Sequence, residues 1–284
     1  MLDKQQIEIK LDEKIEKVEL IKETGLSFLY RITGEKKYIL KESKNADISE
    51  EFYNHKKVYD CWAQNRQGLD FKIPQVYFLA DDKKSYLMDY IEAACNLLES
   101  LQQKRPAIMQ IFQKAGLCVN QYHTLMTKAL EGQRQSIFDH DSFAQIIQSK
   151  DGHKIKNHFN QFPDESFRTI FKDFSLSNVI VDKNNDIYFV DFQKIYYYAP
   201  FYYDLARFID TGKVFSLAQK PLFFLVNFNK INKILNSFID GYGAGVDKTH
   251  LKTMCYIHRK EHIQMKKNVS SFDALILQII YWLI

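Results

Sequence analysis

The chain has 284 residues, which is long enough to bury a sizeable core and suits one large domain or two lobes. Hydrophobic residues make up 46% and charged residues 26%, as in an ordinary globular protein, and the formal net charge of +4 is too small to indicate a nucleic-acid-binding protein. The four cysteines lie far apart without a C-x-x-C pair, so we expect reduced thiols in a cytoplasmic protein, and the charged N-terminus lacks the apolar core of a secretory signal.

The N-terminal part of the chain predicts strands separated by turns. Apolar runs at residues 28–32 and 37–41 follow a turn that contains Gly25 and Ser27. A glycine between two strands lets backbone N–H groups come close to a phosphate, although a plain hairpin turn has the same sequence. Lys41 ends the second run, at a position where a lysine often faces solvent.

A helix and a further strand follow these strands. Residues 48–64 have helical spacing, with Glu51 and His55 one turn apart on the same face. A strand at 85–91 then contains the sequence Met88-Asp89-Tyr90-Ile91. From residue 96 onwards the apolar spacing indicates helices, which marks a change of architecture.

A loop and the hairpin after it are predicted to bring three oxygen-bearing side chains together. Asp173 is followed five residues later by Asn178, then by an apolar run, a turn and a second apolar strand that ends at Asp191. This set suits phosphoryl transfer, because one carboxylate can orient or deprotonate a hydroxyl while the amide and the other carboxylate hold Mg²⁺ against phosphates. The alternative is that these side chains only cap loops and turns.

The order of these motifs resembles the protein-kinase-like superfamily. It is most similar to the aminoglycoside and choline phosphotransferase branch, in which His-Gly-Asp-x-x-x-x-Asn precedes Ile-Asp-Phe, and the resemblance covers roughly residues 18–245. It implies an α+β fold of the two-lobed protein-kinase-like type. The expected parts are an antiparallel-sheet N-lobe at residues 1–90 and a mainly helical C-lobe at residues 91–284.

The resemblance also implies ATP and Mg²⁺ as cofactors and suggests roles for individual residues. Asp173 corresponds to the catalytic base, Lys41 to the lysine that contacts the α- and β-phosphates, and Asn178 and Asp191 to the Mg²⁺ ligands. The implied nucleotide-binding residues are Gly25, Ser27, Lys41, Glu51, Met88, Asp89 and Ile91.

The sequence departs from the family pattern at several positions. Phe171 replaces the usual histidine, Lys172 replaces the glycine before the catalytic aspartate, and Gln193 replaces the glycine that follows Asp-Phe in protein kinases. Lys172 is a catalytic candidate, because its charge could stabilise the transition state, with a solvent-facing side chain as the alternative. His55 has the better register for the helix glutamate that pairs with the lysine, but we expect Glu51 there because a carboxylate pairs with an ammonium directly.

Two polar residues and the C-terminal segment are expected to be structural. Asp204, followed by Leu-Ala, resembles the family's aspartate that braces the catalytic loop through backbone N–H groups, and His123 is expected in the core rather than as a catalyst. The apolar segment 274–284 is too short to span a bilayer, so we expect a buried final helix.

The expected reaction transfers the γ-phosphoryl group of ATP to a hydroxyl of a small molecule or sugar. A lipid-linked or membrane-surface acceptor is left open but not favoured, and the oligomeric state is not readable from the sequence. One alternative is a pseudokinase that binds nucleotide or a partner. Another is a zinc hydrolase, suggested by the H-x-x-E-H pattern at 258–262, but no convincing third ligand follows it and a solvated helix face is expected.

Overall fold

The computed structural model describes residues 4–92, 94–103, 107–219, 221–243, 245–267 and 270–283. The chain forms two compact units. The first unit comprises Met1–Ala94 and Val181–Gln193, and the second comprises Cys95–Ile180 and Lys194–Ile284.

The first unit is built on a five-stranded antiparallel sheet. In chain order its elements are α1 (Lys4–Leu11), β1 (Lys17–Glu23), β2 (Ser27–Thr33), β3 (Lys37–Ser43), α2 (Ser49–Asn65), β4 (Phe71–Lys72), β5 (Val76–Leu79), β6 (Ser85–Asp89) and β11 (Ile187–Phe189). The strand order is β1-β2-β3-β6-β5, and the short strand β4 pairs with β11 in parallel.

Strand β3 shows how the sheet positions a functional side chain. Successive side chains of a strand point to opposite faces, so Tyr38 and Leu40 join one hydrophobic cluster with Ile7 of α1. Lys41 therefore lies on the other face, opposite Tyr86 of β6 in the antiparallel register. The second cluster contains Tyr86 together with Phe52 of α2, so Lys41 is placed on the helix side of the sheet.

The second unit is mainly helical. Its elements are β7 (Cys95–Asn96), α3 (Leu97–Gln102), α4 (Ile108–Ala129), β8 (Gln135–Ser136), α5 (Asp141–Ile147), α6 (Gly152–Phe159), β9 (Phe167–Thr169), β10 (Val179–Val181, whose last residue belongs to the first unit), β12 (Tyr197–Pro200), α7 (Tyr202–Gln219), α8 (Pro221–Tyr242), α9 (Lys248–Lys267) and α10 (Ser271–Leu283). Strand β12 pairs in parallel with β8 and antiparallel with β9.

Aromatic rings and close-packed helices form the core of the second unit. The rings of Phe208 and Phe238 are stacked with their centroids 3.8 Å apart. Phe174, in the loop that contains Asp173, stacks on Phe208 with a centroid distance of 5.2 Å. Helices α4 and α8 approach so closely that a Cβ atom on Gly116 would overlap the carbonyl oxygen of Phe238. The loop that contains Asp173 is therefore packed against this aromatic core.

The predicted α+β fold, with an antiparallel sheet in the N-terminal part and mostly helices in the C-terminal part, is confirmed. The lobe boundary at residue 90 stays a prediction, and residues 181–193 belong to the first unit because β11 pairs with β4. The final helix is only half buried, since Leu277 is in the interior while Leu275 and Ile279 are exposed. Within the described ranges, none of the helices combines the length and apolarity needed to cross a bilayer.

Candidate active site

The first unit contains a partly buried cluster centred on Lys41. Its Nζ donates hydrogen bonds to Glu51 Oε1 at 2.6 Å and to Asp191 Oδ1 at 2.8 Å. The hydroxyl of Tyr86 donates a third hydrogen bond, to Glu51 Oε1 at 2.6 Å. The cluster therefore joins β3, the first turn of α2 and Asp191, which lies two residues after the end of β11.

The choice between Glu51 and His55 as the partner of Lys41 goes to Glu51. His55 is also buried, but its Nε2 contacts the carbonyl oxygen of Pro74 at 2.9 Å and its ring packs edge-on against Phe192. Burial lowers the pKa of His55 to about 4, so the imidazole is neutral at pH 7. His55 is therefore a buried residue of α2 rather than the partner of Lys41.

One ammonium group serves two carboxylates in this cluster, of which Glu51 is buried and Asp191 is partly exposed. Burial would lower the pKa of Lys41, but Asp191 and Glu51 outweigh it and the pKa lies above its ordinary value. For Asp191, burial would raise the pKa, but Lys41 holds it below its usual range. Burial raises the pKa of Glu51, which shares the same ammonium. Asp191, with its lowered pKa and partly exposed side chain, is therefore the carboxylate of this cluster that suits binding of a cation.

Asp191 suits a metal ligand in its hydrogen bonding and its backbone. Among the described residues, Lys41 and, at 3.3 Å, Gln193 Nε2 donate hydrogen bonds to Asp191 Oδ1, and the side chain is 30% exposed, so the carboxylate is accessible to a cation. Its φ is +70°, a left-handed conformation that costs a non-glycine residue roughly 1–2 kcal/mol. Such strain concentrates at functional sites.

In the second unit, Asp173 is held by hydrogen bonds to its side chain and to its backbone carbonyl. Arg207 Nη2 donates to Asp173 Oδ1 at 2.9 Å, and Asn178 Nδ2 donates to the Asp173 carbonyl oxygen at 3.0 Å. Because the amide nitrogen of Asn178 faces the loop, its Oδ1 faces away from this carbonyl. Apart from a 3.2 Å hydrogen bond from Ser177 Oγ, this oxygen is available to a hard cation such as Mg²⁺.

Asp204 braces the residues before Asp173, as the resemblance implied. Its carboxylate accepts the backbone N–H groups of Phe171 at 2.6 Å and Lys172 at 3.1 Å. It also contacts His123 Nε2 at 2.9 Å, while His123 Nδ1 contacts the hydroxyl of Tyr242 at 2.9 Å. All of these groups are buried, so the brace is structural and Phe171 contributes to it through its backbone rather than its ring.

Lys172 does not face solvent, and that alternative is wrong. The residue is only 2% exposed, and its Nζ donates to the Tyr203 hydroxyl at 3.1 Å and to Glu261 Oε1 at 3.2 Å. Its ammonium is thus directed into the interior of the second unit and neutralised there, so we do not assign it contact with a phosphate. Local spacing gave no sign of this burial, because Glu261 lies on α9, far along the chain.

The remaining candidates lie on the first unit, at two places. In the turn between β1 and β2, the Oγ1 of Thr24 accepts the N–H of Ser27 at 2.9 Å, and a Cβ atom on Gly25 would meet nothing within 4 Å. At the end of β6, Met88 packs against the second hydrophobic cluster. The N–H of Asp89 donates to the Gln75 carbonyl at 2.9 Å, so only the Asp89 carbonyl remains for a ligand such as adenine.

Ile91 follows Asp89 outside the strand and is partly exposed. Its position is compatible with a backbone contact to a ligand.

Sequence reasoning missed three residues that shape these groups. Tyr86 hydrogen-bonds Glu51, Arg207 pairs with Asp173, and Glu261 pairs with Lys172. Arg207 was open to prediction, since it lies one helical turn after the bracing residue Asp204. Glu261 appeared only within the zinc-like pattern, whose solvated helix face is a wrong prediction because His258 and Glu261 are both buried, with His258 Nδ1 3.3 Å from Asp210.

No protein-family model matches the sequence, and no curated protein is similar to it in sequence. The structure is similar to the GDP complex of an aminoglycoside 2′-phosphotransferase IIIa, with a TM-score of 0.63 and 10% identity over 97% of this chain and 97% of that one. It is also similar to a choline/ethanolamine kinase family protein from Mesorhizobium loti, with a TM-score of 0.56 and 13% identity over 93% of this chain and 88% of that one.

A third similar structure is a macrolide 2′-phosphotransferase from Brachybacterium faecium, with a TM-score of 0.57 and 9% identity over 96% of both chains. At such identities the similarity concerns the fold. The chain has the protein-kinase-like fold of these small-molecule kinases, as its motifs predicted.

Proposed function

We propose that this protein, which has the fold of small-molecule kinases, is an ATP- and Mg²⁺-dependent phosphotransferase that acts on a hydroxyl of a small molecule or sugar. The observation that supports it best is the cluster of Lys41, Glu51 and Asp191 in the first unit. A fold does not define an activity, but an ion-paired lysine beside a partly exposed carboxylate is an arrangement that suits phosphoryl transfer.

Each unit contributes part of the chemistry in this proposal. Lys41, held by Glu51, binds the α- and β-phosphates of ATP, while Gly25 and Ser27 approach the phosphates and the backbone near Asp89 binds adenine. Asp191 and Asn178 would hold Mg²⁺, which neutralises negative charge on the phosphate oxygens.

Asp173 acts on the acceptor. Arg207 occupies its Oδ1, so Oδ2 accepts the hydrogen bond of the acceptor hydroxyl and orients its oxygen towards the γ-phosphorus. The new bond joins that oxygen to phosphorus, the bond from phosphorus to the leaving ADP oxygen breaks, and the hydroxyl proton passes to Asp173.

The charges around Asp173 favour a neutral acceptor over a polycation. The guanidinium of Arg207 places a positive charge beside Asp173, the candidate base. Glu261 is buried and paired with Lys172. A polycation would meet a like charge at Arg207 without an acidic cluster to compensate it. We therefore expect neutral sugars and polyols to be better acceptors than aminoglycosides.

Thermal unfolding with ATP and Mg²⁺ tests the nucleotide site. A ligand that binds only the folded protein stabilises it by about 2.7 kcal/mol at a hundred times its dissociation constant, so the wild-type midpoint should rise. Asp191→Asn should lose the Mg²⁺-dependent part of that rise. Asp186→Asn, on the same hairpin but paired with Lys72, is the matched control and should keep it.

Turnover separates an active enzyme from a pseudokinase. With a panel of neutral hydroxyl acceptors, Asp173→Asn should keep the ATP-dependent rise in the unfolding midpoint and lose phosphoryl transfer by roughly a hundredfold or more. Stabilisation by ATP without turnover of any acceptor would favour the pseudokinase, and the absence of stabilisation would contradict the nucleotide site itself.

A further inference from the structure

Lys172 occupies a backbone position that favours glycine. Its φ is +65°, and the N–H of Asp173 donates to the carbonyl oxygen of Phe171 at 2.8 Å, which closes a three-residue turn centred on Lys172. A side chain there is strained, so the conformation persists only if contacts elsewhere fix it. The family pattern meets the same requirement with glycine, which adopts this conformation freely.

The side chain of Lys172 ties this turn to three helices. Its Nζ contacts Glu261 of α9 and the hydroxyl of Tyr203 of α7, and that hydroxyl donates to Glu261 Oε2 at 2.7 Å. Ser142 of α5 donates to Glu261 Oε1. Each of these residues is at most 5% exposed, so the network excludes water and its geometry is well defined.

The network is connected to Asp173 through α7. Tyr203, Asp204 and Arg207 lie within one turn of this helix, and they contact respectively the Lys172 ammonium, the Lys172 backbone N–H and the Asp173 carboxylate. The turn is thus attached to α7 at three points, and Glu261 holds the Lys172 end of it from α9.

A purely stabilising role accounts poorly for this pair. Burying two charges costs much of what their attraction returns, so a buried ion pair is weak evidence for stability, whereas it can specify one conformation among several. A direct role in catalysis also fits poorly, because the ammonium is enclosed and bonded to Glu261.

We propose that Lys172 is a positioning residue, and that its ion pair with Glu261 holds the turn at residues 171–173 so that Asp173 stays in place beside Arg207. This role rests on the proposed function as far as Asp173 is a catalytic residue. The conformational part of the proposal concerns the loop itself and can be measured without any reaction.

Hydrogen exchange of the loop is the first test. Lys172→Met and Glu261→Gln, which keep side-chain size, should each raise the exchange rate of amides in residues 170–178 by roughly tenfold or more, while α4 exchanges as in the wild type. Lys260→Met is the matched control, because the adjacent residue on α9 pairs with Asp151 at 2.6 Å, outside this network. Loop exchange at the wild-type rate in both variants would overturn the proposal.

Kinetics give the second test where turnover is found. Positioning predicts that both variants lower kcat by a similar factor, that the double variant is no slower than either one, and that the KM for ATP is unchanged. A direct phosphate contact predicts a loss in Lys172→Met alone, and a merely structural role predicts a lower unfolding midpoint with kcat unchanged; either result contradicts the proposal.

The two proposals can fail separately. If the wild type shows no transfer to any acceptor, the proposed function fails, and the exchange rates still decide whether the pair fixes the loop. If Lys172→Met does not fold, Glu261→Gln, which retains hydrogen-bonding capacity towards Ser142 and Tyr203, carries the test alone.

Discussion

Arg207 is the residue that most changes the chemistry expected of Asp173. A carboxylate in an ion pair at 2.9 Å has a better fixed orientation than a free one. In a loose phosphoryl-transfer transition state, orientation of the hydroxyl matters more than early removal of its proton. The pair therefore suits a residue whose main task is to orient the acceptor.

Substitution of Arg207 should separate charge from geometry. Arg207→Met frees Asp173 to rotate, so we expect kcat to fall roughly tenfold or more, because misorientation of a catalytic group is costly. Arg207→Lys keeps the charge but has a shorter side chain, so its kcat should lie between those of the wild type and Arg207→Met. Steady-state kinetics with one neutral acceptor measure both, and unchanged kcat in Arg207→Met would contradict the orienting role.

The same variants bear on acceptor charge. If the positive charge of Arg207 disfavours cationic acceptors, Arg207→Met should lose less activity towards an aminoglycoside than towards a neutral sugar. Equal losses would show that acceptor charge is read elsewhere.

At the scale of elements, the crossing of α4 and α8 depends on two glycines. A Cβ atom on Gly116 would overlap Phe238 O, and one on Gly241 would overlap Gln113 O. Neither contact is with a flexible side chain, so the helices could accept a larger residue only by moving apart. The stacking of Phe174 and Phe208 depends on Phe238 of α8, so this crossing also supports the catalytic loop.

Gly116→Ala should therefore destabilise the protein by about 3 kcal/mol, at the upper end of typical overpacking costs. Gly245→Ala is the control, since a Cβ atom there would meet nothing within 4 Å and the change should stay within about 0.5 kcal/mol. Denaturant unfolding of the two variants gives the comparison. A small effect of Gly116→Ala would mean that α4 and α8 separate easily.

At the scale of the whole molecule, the parts predicted correctly are those that local sequence determines. The loop from Asp173 to Asn178 and the hairpin that ends near Asp191 lie within one short segment, so their secondary structure could be predicted from it, while the roles of these residues stay predictions. The preference for Glu51 came from the chemistry of its partner rather than from register. The face of β3 on which Lys41 lies also follows from the sequence, because successive side chains of a strand point to opposite faces of the sheet.

The parts that were missed depend on contacts between distant segments. Nothing near Lys172 in the sequence indicates that Glu261 compensates its charge, so the side chain was assigned to a phosphate or to solvent. The exposure of Leu275 and Ile279 on the final helix was equally hidden, because apolarity alone does not show which face of a helix is covered.

A buried histidine in the first unit and a partly buried one in the second should make the stability of the molecule depend on pH. Burial lowers the pKa of His55 in the first unit to about 4, and burial together with His258 and Arg207 does the same for His262 in the second. Unfolding restores the ordinary pKa of about 6.5, so the unfolded chain binds more protons between pH 6.5 and 4. Stability contributed by the neutral imidazoles is therefore present above pH 6.5 and lost as the pH falls.

The contribution of His262 can be isolated by a difference measurement, which is needed because Glu51, with its raised pKa, acts in the opposite direction. The measured quantity is the free energy of unfolding of the wild type minus that of His262→Gln. This difference should be about 1–2 kcal/mol smaller at pH 5 than at pH 7, since the glutamine does not titrate. Glu261, whose pKa is lowered to about 2, also faces this histidine and stays ionised over that range. Urea unfolding at the two pH values provides the four free energies, and an identical pH dependence in both proteins would mean that His262 is protonated in the folded state.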